Sequence, residues 1–173
     1  IRRCPNPQCK GIIFLAGFID IKTNSEEIFV FPVSVPFDFN KAQIPPKIAE
    51  LLEESIECYS NGCYIASAIM IRRTLEEICA TEGAEGDTLE KRIDNLKGKV
   101  VLPQKLFKGL HNLRLMGNDA AHVKSKNYDK IGEKEVKVAI EFTRELLKAL
   151  YQYDELLAEL EKLKKKPNSD KGA

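Results

Sequence analysis

The chain has 173 residues, of which 43% are hydrophobic and 31% charged. That mixture suits one folded domain with at most a small appendage, and it excludes wholesale disorder. Lys and Arg number 27 against 26 Asp and Glu, a formal net charge of +1, so nucleic acid cannot be held by bulk charge and would need a local patch.

Residues 1–40 read as a β-rich unit. It opens with Cys4-Pro-Asn-Pro-Gln-Cys9-Lys-Gly. Two thiols on a Pro-stiffened turn resemble half of a zinc ribbon, so Cys4 and Cys9 are the candidate ligands of a structural zinc. The other two ligands would come from upstream of Ile1, or from Cys58 and Cys63, which have the same spacing; a metal-free turn is the alternative. The apolar run at 11–19 is too short for the roughly 20 residues of a membrane span. A signal peptide fails too, since Cys4 and Cys9 would sit in its leader and no small-residue cleavage site follows. The chain opens at Ile1 rather than Met, which suits a piece of a longer protein. With no such membrane span, no membrane is expected, and five Cys, three of them in helical sequence, fit a reducing cytoplasm better than a disulfide framework. Ile12–Ile21 and Glu27–Val35 are rich in β-branched and aromatic residues around a polar turn at 22–25, which predicts a hairpin. Pro32 and Pro36 make the second strand an edge strand or end it early.

From 45 to 166 the pattern is helical. Helix 1 is expected over 46–60, with Ile48, Leu51, Leu52, Ser55, Ile56 and Tyr59 on one face, and Asn61-Gly62 ends it. Helix 2, over 63–81, is apolar nearly all round in its first half, which marks the central helix. Its second half pairs Arg72 and Arg73 with Glu76 and Glu77. Helix 3 is short, over 88–96, capped by Asp87 or Thr88. Helix 4 runs over 103–121 with Pro103 in its first turn. Helix 5 follows Gly132 over 133–166, roughly 50 Å at 1.5 Å per residue. Its seam of Val136, Ala139, Thr143, Leu146, Leu150, Tyr153, Leu157 and Leu160 is heptad-like. The far end of that seam would overhang the bundle and need a cover, either the N-terminal β unit or a second copy. Residues 167–173 read as a disordered tail.

Helix 4 carries a polar stripe. At 100° per residue, Arg114, Asn118 and His122 advance by only about 40° per step, so they line up along one side. Gly117, Ala120 and Ala121 beside them would admit a neighbouring helix. Between residues 105 and 130 there are six Lys or Arg against two Asp, the local patch that the overall charge conceals. His can move protons near neutral pH, Arg can stabilise charge on a phosphorane, and Asn can orient a phosphate or hydroxyl. These suffice for RNA cleavage without a metal, in which the 2′-hydroxyl attacks its neighbouring phosphate. The structural alternative is a network in which Arg114 and Asn118 satisfy polar groups of helix 2, Glu76 or Glu77 included, and His122 caps helix 4. His111 falls near the same face and reads as a surface residue.

The run C-Y-S-N-G-C-Y-I-A-S-A-I-M-I-R-R-T-L-E-E-I-C and, further on, R-L-M-G-N-D-A-A-H together resemble the family known as domain of unknown function four-one-four-five, over roughly residues 45–155. The resemblance implies the HEPN superfamily. On it the fold class is mainly α, a HEPN-like helical bundle of four to five helices with a small N-terminal β-hairpin and zinc-knuckle-like unit. It further implies a homodimer and a metal-independent ribonuclease of bacterial anti-phage defence or a toxin-like system, with Arg114, Asn118 and His122 as catalytic residues and no cofactor for catalysis. HEPN nucleases commonly read R-N-x-x-x-H. Here Asn118 and His122 match, but Arg114 lies four residues before Asn118. A second reading therefore stands beside the first: a non-catalytic dimerisation or interaction module of a larger restriction or defence complex.

Overall fold

The computed structural model describes residues 2–3, 12–31, 37 and 39–164, and the chain divides into two units, Ile1–Asp38 and Phe39–Ala173. Cys4, Cys9 and the tail at 167–173 lie outside the described residues.

In the first unit, β1 (Arg2–Arg3), β2 (Ile12–Asp20) and β3 (Ser25–Phe31) pair antiparallel in that order. The hairpin register runs from Phe14 opposite Phe31 to Asp20 opposite Ser25. Asp20 shapes the turn: its carbonyl accepts from the Asn24 amide at 2.7 Å, and its carboxylate accepts from the Lys22 amide at 2.8 Å. Asn24 adopts φ 53°, a left-handed conformation that Asn tolerates better than most residues. The second strand is described as far as Phe31, and Pro32 and Pro36, expected to end it or make it an edge, lie outside the described residues.

The second unit is helical. Helix α1 (Pro46–Ser60) starts on Pro45-Pro46 and stops at Asn61-Gly62, where Gly62 has φ 74°. Helix α2 (Tyr64–Thr81) lies in the middle and packs on α1, α3 (Leu89–Leu96), α4 (Gln104–Ala121) and α5 (Glu133–Tyr151). Ser55 and Ser67 let α1 and α2 approach closely. Each hydroxyl is fully buried and donates to the other's carbonyl, at 3.0 and 2.8 Å. Thr88 caps α3, its side chain accepting from the Lys91 amide. Glu135 closes the start of α5 by accepting from the Gly132 amide at 3.0 Å. The core is continuous through Ile48, Leu52, Ile71, Leu75, Ile78, Leu110, Ile140 and Leu146.

Two expectations change. The first half of α2 is not buried all round, since Ile65 and Ile69 are exposed and border a hollow with Cys63, Tyr64 and Ile131. The long fifth helix is two: α5 ends at Tyr151 and α6 runs over Tyr153–Lys162, giving six helices among the described residues. The break is at Gln152. Its φ of −119° departs from helical geometry, and its buried side chain donates from Nε2 to the carbonyls of Asn40 and Ala42 at 2.7 and 3.0 Å. The seam is correspondingly divided. Val136, Ala139, Thr143 and Leu146 are core, whereas Tyr153, Leu157 and Leu160 are exposed. No helix among the described residues is long and apolar enough to cross a membrane.

Candidate functional site

Helix α4 reaches α2 closely because position 117 is Gly. A Cβ built there would lie 2.5 Å from the Cβ of Arg72. The stem of Arg72 therefore crosses the α4 backbone, and its Nη1 donates to Asn118 Oδ1 at 2.6 Å. Arg72 Nε also faces Glu76 Oε1 at 3.3 Å, one turn along α2. A charge-assisted bond from a guanidinium fixes the Asn118 carboxamide with its oxygen toward α2, leaving its NH₂ as the free end.

Arg114 lies one turn before Asn118, mostly buried, with 14% of its side chain exposed. Its Nη2 donates to Glu90 Oε1 of α3 at 3.1 Å, and Glu90 itself is exposed. Arg114 Nε is buried without a hydrogen-bond partner. An N–H donor in that position ordinarily costs about 1–3 kcal/mol unless something accepts from it. Arg72, Arg114, Asn118 and Glu90, with Thr88 and Leu89, enclose an open pocket of about 240 Å³.

His122 is not part of that pocket's wall. Helix α4 ends at Ala121, and His122 takes extended dihedrals, φ −133° and ψ 117°, as its C-cap. Its amide still donates to the Asn118 carbonyl at 2.9 Å, but the imidazole is exposed and has no hydrogen bond among the described residues. The structure thus brings Arg114 and Asn118 together and leaves His122 at the mouth of the following loop. That loop is anchored by Asp119. Its carboxylate accepts from the Ser125 hydroxyl, the Asn127 amide and side chain, and the Tyr128 amide, at 2.5–2.7 Å. Burial acts to raise the Asp119 carboxyl, but these hydrogen bonds outweigh it and hold its pKa below the usual carboxylate range. Lys124, Lys126 and Lys130 are displayed on the same loop.

Arg72 and Glu90 are the members of the site that the helix-4 stripe does not contain. The tandem Arg72-Arg73 is the available signal: both arginines share Glu76 along α2, and Arg72 in addition reaches across to α4. The half-buried His111, at 3.3 Å from Asp94, takes part in a separate contact between α3 and α4.

For metal binding, the described residues contain no group of three or more His, Cys, Asp or Glu arranged to hold an ion. Cys63 sits exposed at the start of α2, its Sγ 3.8 Å from the Asn61 carbonyl. Cys58 is half-buried, and burial, then the neighbouring Cys63 and two glutamates, raise its thiol pKa. A larger groove, of about 460 Å³, runs between α4 and α5, with Lys105, Lys108 and Lys134 among its lining residues.

The chain has no significant match among the curated proteins or among the solved structures. A family model does match, over residues 53–166, a span that holds the whole pocket and His122. The chain belongs to the family described as Domain of unknown function (DUF4145).

Proposed function

We propose that this chain is a HEPN-like RNA-directed module that grips a backbone phosphate in the Arg72–Arg114–Asn118 pocket and cleaves the strand beside it without a metal. One observation carries the reading: two guanidiniums and a carboxamide converge on a small open pocket, and one of those guanidiniums has a buried donor, Arg114 Nε, with no hydrogen-bond partner. A phosphate oxygen supplies that acceptor once the Arg114 guanidinium turns from Glu90 toward the pocket. Glu90, the more exposed partner of Arg114, swings aside as the anion enters. Asn118 contributes its free NH₂. His122 follows as the C-cap of α4, four residues after Asn118, exposed and available for proton transfer. It takes the 2′-hydroxyl proton as that oxygen attacks the phosphorus, and returns it to the departing 5′-oxygen, leaving a 2′,3′-cyclic phosphate. Arg114 and Arg72 stabilise the added charge on the phosphorane. Cys4 and Cys9 are the proposed ligands of a structural zinc. The proposed setting is a cytoplasmic defence or toxin-like system, and the proposed working form is a homodimer.

A second reading has its own support. Both guanidiniums already have partners, Asn118 and Glu76 for Arg72 and Glu90 for Arg114. Such a network can simply lock α2, α3 and α4 together in a non-catalytic module of a larger complex. The two separate in one experiment on purified protein with single-stranded RNA in chelator. The nuclease reading expects cleavage to cyclic phosphate ends, lost by at least about a hundredfold in His122→Ala and in Arg114→Ala. RNA binding without cleavage, sensitive to Arg72→Ala and Arg114→Ala but not to His122→Ala, leaves a phosphate-gripping module. Neither binding nor cleavage leaves the structural network.

A further inference from the structure

Helix α6 has no buried residue. Yet Tyr153, Leu156, Leu157 and Leu160, with Leu163 just beyond its end, are 48–79% exposed. On a helical wheel they fall within a sector about 120° wide. Asp154 and Glu161 flank the stripe on one side and Glu155 and Glu159 on the other. This is an acidic amphipathic helix whose apolar face is uncovered among the described residues of its own unit.

The same unit contains the complementary surface. The groove between α4 and α5 has an apolar floor of Leu113, Met116, Val138 and Phe142, and its rim carries Lys105 and Lys108 from α4 and Lys134 from α5. Its one acidic lining residue, Glu135, is already engaged with the Gly132 amide. Gly109 deepens the groove: a Cβ there would fall 2.0 Å from the Phe142 ring, so the ring edge occupies the space that a side chain would fill.

We infer that α6 of one copy docks in the α4–α5 groove of a second copy, with its leucines on the floor and its carboxylates against the lysine rim. The inference rests on the self-association proposed above and assigns its surfaces. Helix α6 cannot serve its own groove. The groove uses α5 only as far as Phe142, and the nine further residues to Tyr151 carry the chain about 14 Å past it. Doubling back would require a reversal at Gln152, whose side chain is held by the Asn40 and Ala42 carbonyls. A second copy has no such constraint. Related by a two-fold axis, two copies make the contact twice, so a helix of 10 residues, about 15 Å long, contributes on both sides.

The test is sedimentation velocity on the full chain across a concentration series. Wild type is expected to dimerise. Leu157→Lys combined with Leu160→Lys, and separately Val138→Glu, should weaken the dimer by roughly tenfold or more. All three positions are exposed in the single copy, so an unchanged circular dichroism spectrum is expected. Lys105→Glu with Lys108→Glu should weaken it too, and combining this pair with Glu155→Lys and Glu159→Lys, or with Asp154→Lys and Glu161→Lys, should restore association. A dimer that persists through the leucine and Val138 variants overturns the assigned surfaces and leaves self-association standing. A wild type that stays monomeric overturns self-association itself, and some other partner then covers α6.

Discussion

At position 117 a single missing methyl group decides how near α4 comes to α2. The atom it would meet is the Cβ of Arg72, which is fixed to the α2 backbone and cannot swing away. Gly117→Ala should therefore push the helices apart. The overpacking costs about 1–3 kcal/mol, partly offset by the roughly 1 kcal/mol that Ala gains over Gly in a helix. Gly109 is a control of opposite sign. The atom its Cβ would meet is the far edge of the half-buried Phe142 ring, which borders an open groove. That ring can turn, so Gly109→Ala should keep or gain stability. Urea denaturation of the two variants checks this, and equal losses at both positions would contradict the distinction. Arg114 and Asn118 were legible in the sequence because four-residue spacing within one helix fixes a shared side. Arg72 was not, since its bond to Asn118 spans 46 positions and depends on the close approach at Gly117. Placing His122 on the stripe extends the helical period one residue too far. The helix stops at Ala121, and periodicity says nothing about a side chain beyond the last turn.

Elements whose ends are marked by chemistry matched their expected limits closely. Pro45-Pro46 and Asn61-Gly62 bracket α1, Thr88 starts α3, and Pro103 precedes α4. The division between α5 and α6 has no such marker. Gln is a good helix former, and the hydrophobic period runs through it unbroken, so only the tertiary partner reveals the break. That partner is the segment at 39–42, whose carbonyls the Gln152 amide gathers. Gln152→Ala removes both bonds and should cost about 1–2 kcal/mol, read as a lowered urea midpoint. Amide exchange should rise around residues 40–44, where the chain enters α1, and leave the middle of α2 protected. An unchanged midpoint would mean that water replaces the side chain at no cost.

Over the whole molecule, a net charge of +1 leaves no long-range attraction to a polyanion, so any RNA affinity must come from a few local contacts. The six cations between residues 105 and 130 looked like one patch in the sequence, because linear spacing cannot separate the faces of a helix from the loop after it. The fold sorts them into three places. Lys105 and Lys108 border the α4–α5 groove, Arg114 sits in the pocket with Arg72, and Lys124, Lys126 and Lys130 ride the loop that Asp119 anchors. On the RNA reading only the last two groups touch the strand, and the pocket arginines already carry counter-charges from Glu76 and Glu90. The number of phosphates neutralised is then roughly three, and a single strand releases about 0.7 counterion for each, so log K should fall with log salt at a slope near −2. Lys124→Ala with Lys126→Ala should flatten that slope by about 1.4. Lys105→Ala with Lys108→Ala should leave it unchanged, provided the protein concentration keeps the oligomeric state fixed. Fluorescence anisotropy with a short labelled RNA at several salt concentrations measures all three. A slope that responds to the groove lysines and ignores the loop would place the RNA on α4 and α5. The surface proposed for a second copy of the chain would then belong to nucleic acid, because acidic helix and phosphate backbone compete for the same lysines.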